Sequence, residues 1–383
     1  MINKKWAFAL SILSLSTAMV TADQASDMNQ KQPMPMGVTS QPKNVITPPV
    51  APRVHNGSDF FVSADFIYWY AHQDGLAYAF SGELGSNANP SPSHSHVEQV
   101  DRKWEPGFKI GAGLEFEHDG WDLFAQWAWL NPISHNKSSV QNDSDDLNSY
   151  VLPVNGSGTG AITPHLIGGS LDKAEGSWTL HYNVMDLELG RNFFLSRNLT
   201  LRPHIGLKTA WINQKFNREY SATDVEVSHT GSVTPSYFTG AVSKNQSQES
   251  WGMGIRFGLD PVWHISRKWG IYGNVALSSL YQYYKTKEAI EVTGFEQPID
   301  GTVTTASDYT FRNTKKNNHT LTPVLELGLG LEYMTWFYDE AYMLELRAGW
   351  EEQVWFNTNQ LQDASSQGNL TLQGFTLKAG FHF

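Results

Sequence analysis

Residues that could do chemistry are few and poorly grouped in this 383-residue chain. His94 and His96 could ligate a metal ion, but they lie in a Ser- and Pro-rich segment without a second pair of ligands nearby. Asp145, Asp146 and His165 could serve a hydrolase built from loops, yet no Gly-x-Ser-x-Gly motif is present. The absence of cysteine excludes disulfides and thiol catalysis. We therefore expect no enzyme activity, no metal site and no cofactor.

Charged residues at alternate positions of apolar segments form a second group. The cations come from two neighbouring segments and the carboxylates mostly from others. If these segments are strands that close into a barrel with their apolar faces toward lipid, the charged residues line its lumen. The candidates are Arg202, Lys208, Arg256, Asp65, Glu115, Glu117, Asp122, Glu326, Glu332, Glu345 and Glu351. Their separation would set a transverse field that sorts polar solutes, and the acidic excess would mildly favour cations. The same charges could instead pair across a narrow barrel and fill it, so both readings stay open.

Strands must position these side chains, because apolar residues recur at every second position from Ser58 onward. Phe108 and Ile110, for example, alternate with Lys109 and Gly111. Ten such segments are predicted as strands. One of them is irregular: its apolar positions are Trp178, Leu180, Tyr182 and Val184, after which Leu187 and Leu189 fall out of phase. That change predicts a β-bulge near Met185.

The links between the predicted strands alternate in length. Tight turns are predicted at His118–Gly120, Arg191–Asn198, His264–Lys268 and Phe337–Ala341. Long polar links are predicted at His72–Lys103, Asn131–Ser177, Asn217–Glu249, Lys285–His319 and Phe356–Asn369. Soluble sandwiches also alternate with period two, but they rarely collect all short turns at one end. This arrangement predicts an all-β fold, a transmembrane antiparallel up-and-down β-barrel with short periplasmic turns and long extracellular loops. Another hairpin at Tyr150–Val154 or Ser221–Val227 would make twelve or more strands.

Aromatic residues near the predicted strand ends favour a lipid environment. Tryptophan pairs an apolar body with a polar N–H and therefore suits the boundary between lipid and water. The predicted girdle beside the long links contains Trp69, Trp104, Trp129, Trp178, Trp211, Trp251 and Trp355. The girdle beside the turns contains Trp121, Trp263, Trp269 and Trp336. The final strand ends on Phe383, which resembles the signal that barrel-assembly machinery reads, although Lys378 stands where glycine is more common.

Composition and the first residues predict export. Lys4 and Lys5 precede the apolar run Trp6–Val20, so cleavage of a signal peptide is expected after Ala22. The Pro- and Gln-rich residues 23–57 are predicted to be a flexible periplasmic linker, and 58–383 the barrel. Charged residues make up only 17% of the chain and aromatics 13%. The net charge of −11 argues against nucleic acid as a partner.

Several segments resemble the Legionella and chlamydia-like major outer membrane protein family of pore-forming barrels. They are Phe61–Trp69 (FVSADFIYW), Trp251–Asp260 (WGMGIRFGLD), Gly270–Asn274 (GIYGN) and Arg347–Glu351 (RAGWE). The resemblance covers about Ser58 to Phe383 and implies a general-diffusion porin of the outer membrane. Related groups are cysteine-rich and cross-linked, a role that a chain without cysteine does not share.

Two functions therefore remain at the level of sequence. The first is a porin-like channel in the cell outer membrane, with outer-membrane lipid around it and small hydrophilic solutes passing through it. The second is a closed structural or adhesive barrel whose surface loops bind host or envelope partners. The sequence leaves open whether copies of the chain form a homo-oligomer.

Overall fold

A computed structural model describes most of the predicted barrel. The described residues are 58–81, 96–100, 103–116, 120–131, 136–141, 147–149, 165–166, 171–228, 236–298, 305–306, 309–338, 342–361 and 368–383. The predicted signal peptide, the whole predicted linker, the segment Tyr150–Val154 and the lumen candidate Glu117 lie outside the described residues, as do His94, Asp145 and Asp146.

Ten antiparallel strands close into a ring, which confirms the predicted barrel and its strand number. Alternating apolar residues form these strands because one face can meet lipid while the other meets the interior. The ring strands are β1 (Ser58–Gln73), β4 (Trp104–Phe116), β5 (Trp121–Leu130), β9 (Lys173–Arg191), β11 (Leu199–Ser228), β12 (Ser236–His264), β13 (Trp269–Pro298), β15 (Tyr309–Phe337), β16 (Tyr342–Trp355) and β17 (Leu370–His382).

The ring is closed by pairing of the first strand with the last. Strand β1 pairs with β17 over 13 residue pairs, from Phe61 opposite His382 to Gln73 opposite Leu370. Its other edge pairs with β4. Closure satisfies the backbone N–H and C=O groups of the ring inside hydrocarbon, where water cannot. Among the described residues, no helix is long and apolar enough to cross a membrane.

Within the described ranges, seven shorter strands accompany the ring. Three of them form a separate small sheet, namely β2 (Ala77–Ser81), β3 (His96–Gln99) and β7 (Leu147–Ser149). The others extend the main sheet, namely β6 (Asn136–Gln141), β8 (His165–Leu166), β10 (Phe193–Phe194) and β14 (Thr305–Ala306). The small sheet meets the ring where the Tyr220 hydroxyl donates to the backbone oxygen of Tyr78 at 2.7 Å.

Four ring strands are about twice as long as the others, which corrects two predicted loops. Strands β11, β12, β13 and β15 have 29 or 30 residues each, whereas β1, β4, β5, β16 and β17 have 10 to 16. Most of Asn217–Glu249 and Lys285–His319 is therefore strand. The segment Ser221–Val227 continues β11 and adds no hairpin. We call these four strands together with β9 the tall wall.

The predicted bulge near Met185 is wrong. Strand β9 keeps one register with β11 from Lys173 to Gly190, and another unbroken register with β5. Leu187 and Leu189 face outward, whereas the apolar residues from Trp178 to Val184 face the interior. The change of phase therefore marks a change in which face is apolar and leaves the backbone regular.

Tryptophans of both predicted aromatic girdles are exposed on the outer face, but four of the predicted members lie inside the barrel. Side chains of Trp104, Trp211, Trp251, Trp121, Trp263 and Trp269 are exposed on the outer face. Trp69, Trp178 and Trp355, in contrast, are at most 2% exposed and lie inside the barrel. Trp336 lines the interior cavity. An indole at a strand end suits either a lipid boundary or a packed interior, so proximity to a strand end did not separate the two.

Candidate lumen site

The interior of the barrel holds a cavity of about 290 Å³ lined mainly by polar side chains. Positions that alternate with the lipid-facing residues supply this lining, as the period of a strand requires. The sequence candidates on the cavity wall are Arg202, Arg256, Asp65, Glu115, Asp122, Glu326, Glu332, Glu345 and Glu351. Lys208 also points inward and is completely buried beside this cavity. The site is thus built from all parts of the ring.

Arg202 on β11 is surrounded by carboxylates from three strands. Its guanidinium donates to Asp122 on β5 at 2.5 Å and to Asp260 on β12 at 2.8 Å. A third contact reaches Glu188 on β9 at 3.3 Å. Such charge-assisted bonds from a planar donor hold both the arginine and its partners in fixed positions.

Lys208 and Arg256 share the next group of carboxylates. The ammonium of Lys208 lies 2.9 Å from both Asp186 and Glu326. Arg256 donates to Glu326 at 2.9 Å and also to Glu188. The two cations are therefore bridged through Glu326, and one ion-pair network links four strands of the tall wall.

The other five ring strands, β1, β4, β5, β16 and β17, form what we call the short-strand wall, and this wall also has ion pairs. Arg347 on β16 lies 2.5 Å from Glu345 on its own strand and 2.7 Å from Glu332 on the neighbouring tall-wall strand β15. Lys378 on β17 lies 3.5 Å from Glu345. Lys109 on β4 bonds Glu351. Each wall therefore carries both signs of charge.

This distribution differs from the separation expected from the sequence. The cations of the tall wall are next to Asp186, Glu188 and Asp260, which the candidate set omitted. The short-strand wall likewise contains Lys109 beside Glu351 and Arg347 beside Glu345. Both Asp186 and Glu188 alternate with Leu187, and this local alternation was the signal that the wrongly assigned bulge obscured. No wall of uniform charge is formed by the described residues.

One group in this network could offer metal ligands. Atoms of Glu188, His204 and Asp260 lie within 4.8 Å of one another. The guanidinium of Arg202, however, already contacts both carboxylates. A metal ion at that point would have to displace this cation, so the geometry fits an ion-pair network better than a metal centre.

Aromatic side chains pack inside the barrel on the extracellular side of the cavity. We call Trp69, Trp178, Tyr182 and Trp355 the lumen plug, because each is at most 2% exposed and points inward. The Tyr182 hydroxyl donates to Gln353 at 2.8 Å across the ring. Its ring meets that of Trp355 edge to face, with centroids 5.8 Å apart. Polar tips that are bonded in this way let large rings fill the interior without losing hydrogen bonds.

A loop after β16 folds onto the same side. Thr358 and Asn359 are each 1% exposed. Gln248 on β12 donates to the backbone oxygen of Thr358 at 2.8 Å, and the backbone N–H of Gln360 returns a bond to Gln248 at 2.8 Å. The loop is therefore tied to a strand on another part of the ring, and it narrows the barrel together with the lumen plug.

A closed antiparallel ring with an apolar outer band and aromatic girdles defines an outer-membrane β-barrel. The chain belongs to the family described as Legionella pneumophila major outer membrane protein precursor, which it matches over residues 51–383. The cell outer membrane is accordingly its location.

Solved barrels give only distant similarities. A major outer membrane protein from Thermus thermophilus is 9% identical, with a TM-score of 0.26 and coverage of 85% of this chain and 99% of that one. The Pseudomonas putida toluene transporter TodX is 7% identical, with a TM-score of 0.27 and coverage of 86% and 90%. A Pseudomonas aeruginosa FadL homologue is 8% identical, with a TM-score of 0.25 and the same coverage. No curated protein sequence matches the chain.

Proposed function

We propose that this protein is an outer-membrane channel for small hydrophilic solutes, and that the lumen plug holds it closed in the conformation described. The observation that carries the proposal is the charged cavity inside the membrane-spanning part of the barrel. The cavity is lined by carboxylates and cations from both the tall wall and the short-strand wall. The charged groups of this lining suit water and polar solutes.

The energetic cost of such an interior supports this function over a purely structural one. Removing ion pairs from water costs free energy, and well-packed apolar side chains of similar volume often give equal or greater stability. A barrel that served only as a wall could therefore be filled with apolar residues. The charges are explained more simply if they face water and passing solutes.

The charge balance of the cavity favours cations among these solutes. Carboxylates on its wall outnumber lysine and arginine side chains by about two to one. The excess negative charge raises the local concentration of cations, although the ion pairs weaken the field. We therefore expect weak cation selectivity.

The rival function is a closed barrel that acts through its surface, and the lumen plug is the observation that favours it. Planar-bilayer recordings of the refolded full chain distinguish the two. The channel function predicts discrete current steps and a reversal potential that shows weak cation preference in a salt gradient. A complete lack of current steps in all salts would leave the closed barrel as the function.

A further inference from the structure

Three lysines form a row on the outward face of the tall wall. Lys215 on β11 pairs with Ser247, which in turn pairs with Lys287 on β13. Lys287 then lies directly opposite Lys315 on β15. All three lysine side chains are exposed and share the face that carries the apolar band further down the same strands.

The row lies at one fixed height above that band. Lys215 follows the exposed Trp211 by four residues, and Lys287 follows Tyr283 by four. Lys315 precedes His319 by four, and the rings of His319 and Tyr283 are in contact at 4.9 Å. Four residues of a tilted strand rise by about 10 Å. The polar region of a bilayer is about 5–7 Å thick on each side, and a lysine side chain can reach down to it.

The pairing of Lys287 with Lys315 is unfavourable without an external anion. Directly opposed residues have Cβ atoms about 5 Å apart, and like charges there repel. The nearby carboxylate of Glu249 bonds Lys285 at 3.2 Å. Within the part of the chain that the structure describes, neither Lys287 nor Lys315 forms an ion pair. Glu219 and Glu291 on the same face stand four residues further from the membrane.

We propose that Lys287 and Lys315, with Lys215 beside them, bind the phosphate groups of lipids in the outer leaflet. A phosphate between the two ammonium groups would accept hydrogen bonds from both and relieve their repulsion. The position just beyond the aromatic girdle selects a phosphate that is fixed in the headgroup layer. This inference is independent of the channel, because the lysines face away from the lumen.

Binding of a defined lipid to the full chain in uncharged detergent tests the proposal. Diphosphorylated lipid A is titrated, and native mass spectrometry counts the bound molecules. We expect the double variant K287Q/K315Q to bind at least ten-fold more weakly than the unchanged protein. The matched control R267Q/K268Q removes two exposed cations from the opposite end of the barrel and should bind as the unchanged protein does.

Further arms of the same titration identify the ligand. Dephosphorylated lipid A should bind weakly to every variant, and inorganic phosphate should compete only at far higher concentration than the lipid. Equal affinity of K287Q/K315Q and the unchanged protein would overturn the proposal. So would equal binding of the dephosphorylated lipid, or competition by inorganic phosphate at lipid concentrations. Bilayer currents of K287Q/K315Q should remain unchanged, which separates this result from the channel test.

Discussion

The two ends of strand β11 carry their apolar side chains on opposite faces. In its membrane-spanning part Ile205 and Leu207 point outward and are 50% and 45% exposed, while Lys208 points inward and is buried. Beyond Trp211 the order reverses: Lys215 is outward and exposed, and Phe216 is inward and completely buried. The register with β12 is continuous through this point. The backbone is the same, so the surrounding medium decides which face is apolar.

The interior of the ring therefore differs between the part within the membrane and the part above it. Around the membrane the outer face meets lipid, and the inner face holds ion pairs and a cavity. Above the membrane the outer face meets water, and the inner face buries large apolar and aromatic side chains together with paired polar ones such as Lys244 and Glu288. The lumen plug lies at the junction of the two. Predictions that treat the two parts alike should therefore fail.

The largest effect is expected from a cavity in the upper interior. Phe216→Ala should lower the free energy of unfolding by about 4 kcal/mol, since both burial and packing are lost. The control is Phe257→Ala on the lipid face, where the side chain is 49% exposed and lipid tails fill the gap. About 2 kcal/mol is expected there from lost transfer to lipid. Urea titration of folding into phospholipid vesicles measures both, and equal losses would remove the distinction.

The next largest effect is expected from a charge placed on the outer face of the barrel. Leu329 on β15 is outward, 64% exposed and central in the apolar band. Leu329→Arg should lower the free energy of folding into vesicles by about 3 kcal/mol, because a cation in hydrocarbon is costly. Asn313→Arg is outward on the same strand above the band, lies opposite Ala289 and should cost about nothing. Similar losses for both arginines would show that no boundary lies between them.

The smallest effect is expected from an ion pair of the charged cavity. Lys378 is 21% exposed and 3.5 Å from Glu345. Lys378→Met should cost less than about 1 kcal/mol in the same titration, since a hydrated ion pair contributes little. A loss above about 3 kcal/mol would mean that the cavity is dry.

The fold was readable from the sequence because lipid imposes a strict period. Ten strands, the short connections at Arg191–Asn198 and His264–Lys268, and exposed residues such as Trp211 and Trp251 were predicted correctly. The errors lie where the strands leave the membrane. Trp178 and Tyr182 were placed on the lipid face because both sides of the boundary keep period two, and period alone does not tell which face is apolar.

The candidate site was only partly readable for a related reason. Parity showed that Arg202 and Arg256 point inward, but it carried no information on which strands oppose them across the ring. Closure brings Asp122 from β5 to Arg202 on β11, which are 80 residues apart in the chain. The inward course of the loop at Thr358 depends on its contacts with Gln248 and left no periodic signal.

Removal of the lumen plug tests the central claim most directly. The double variant W178A/W355A enlarges the interior, whereas W211A/W251A also removes two tryptophans, but from the lipid face. We predict that planar-bilayer recordings of W178A/W355A show larger or longer current steps than the unchanged protein, and that W211A/W251A matches the unchanged protein. Folded W178A/W355A that passes no current in any salt would contradict a channel closed at this point.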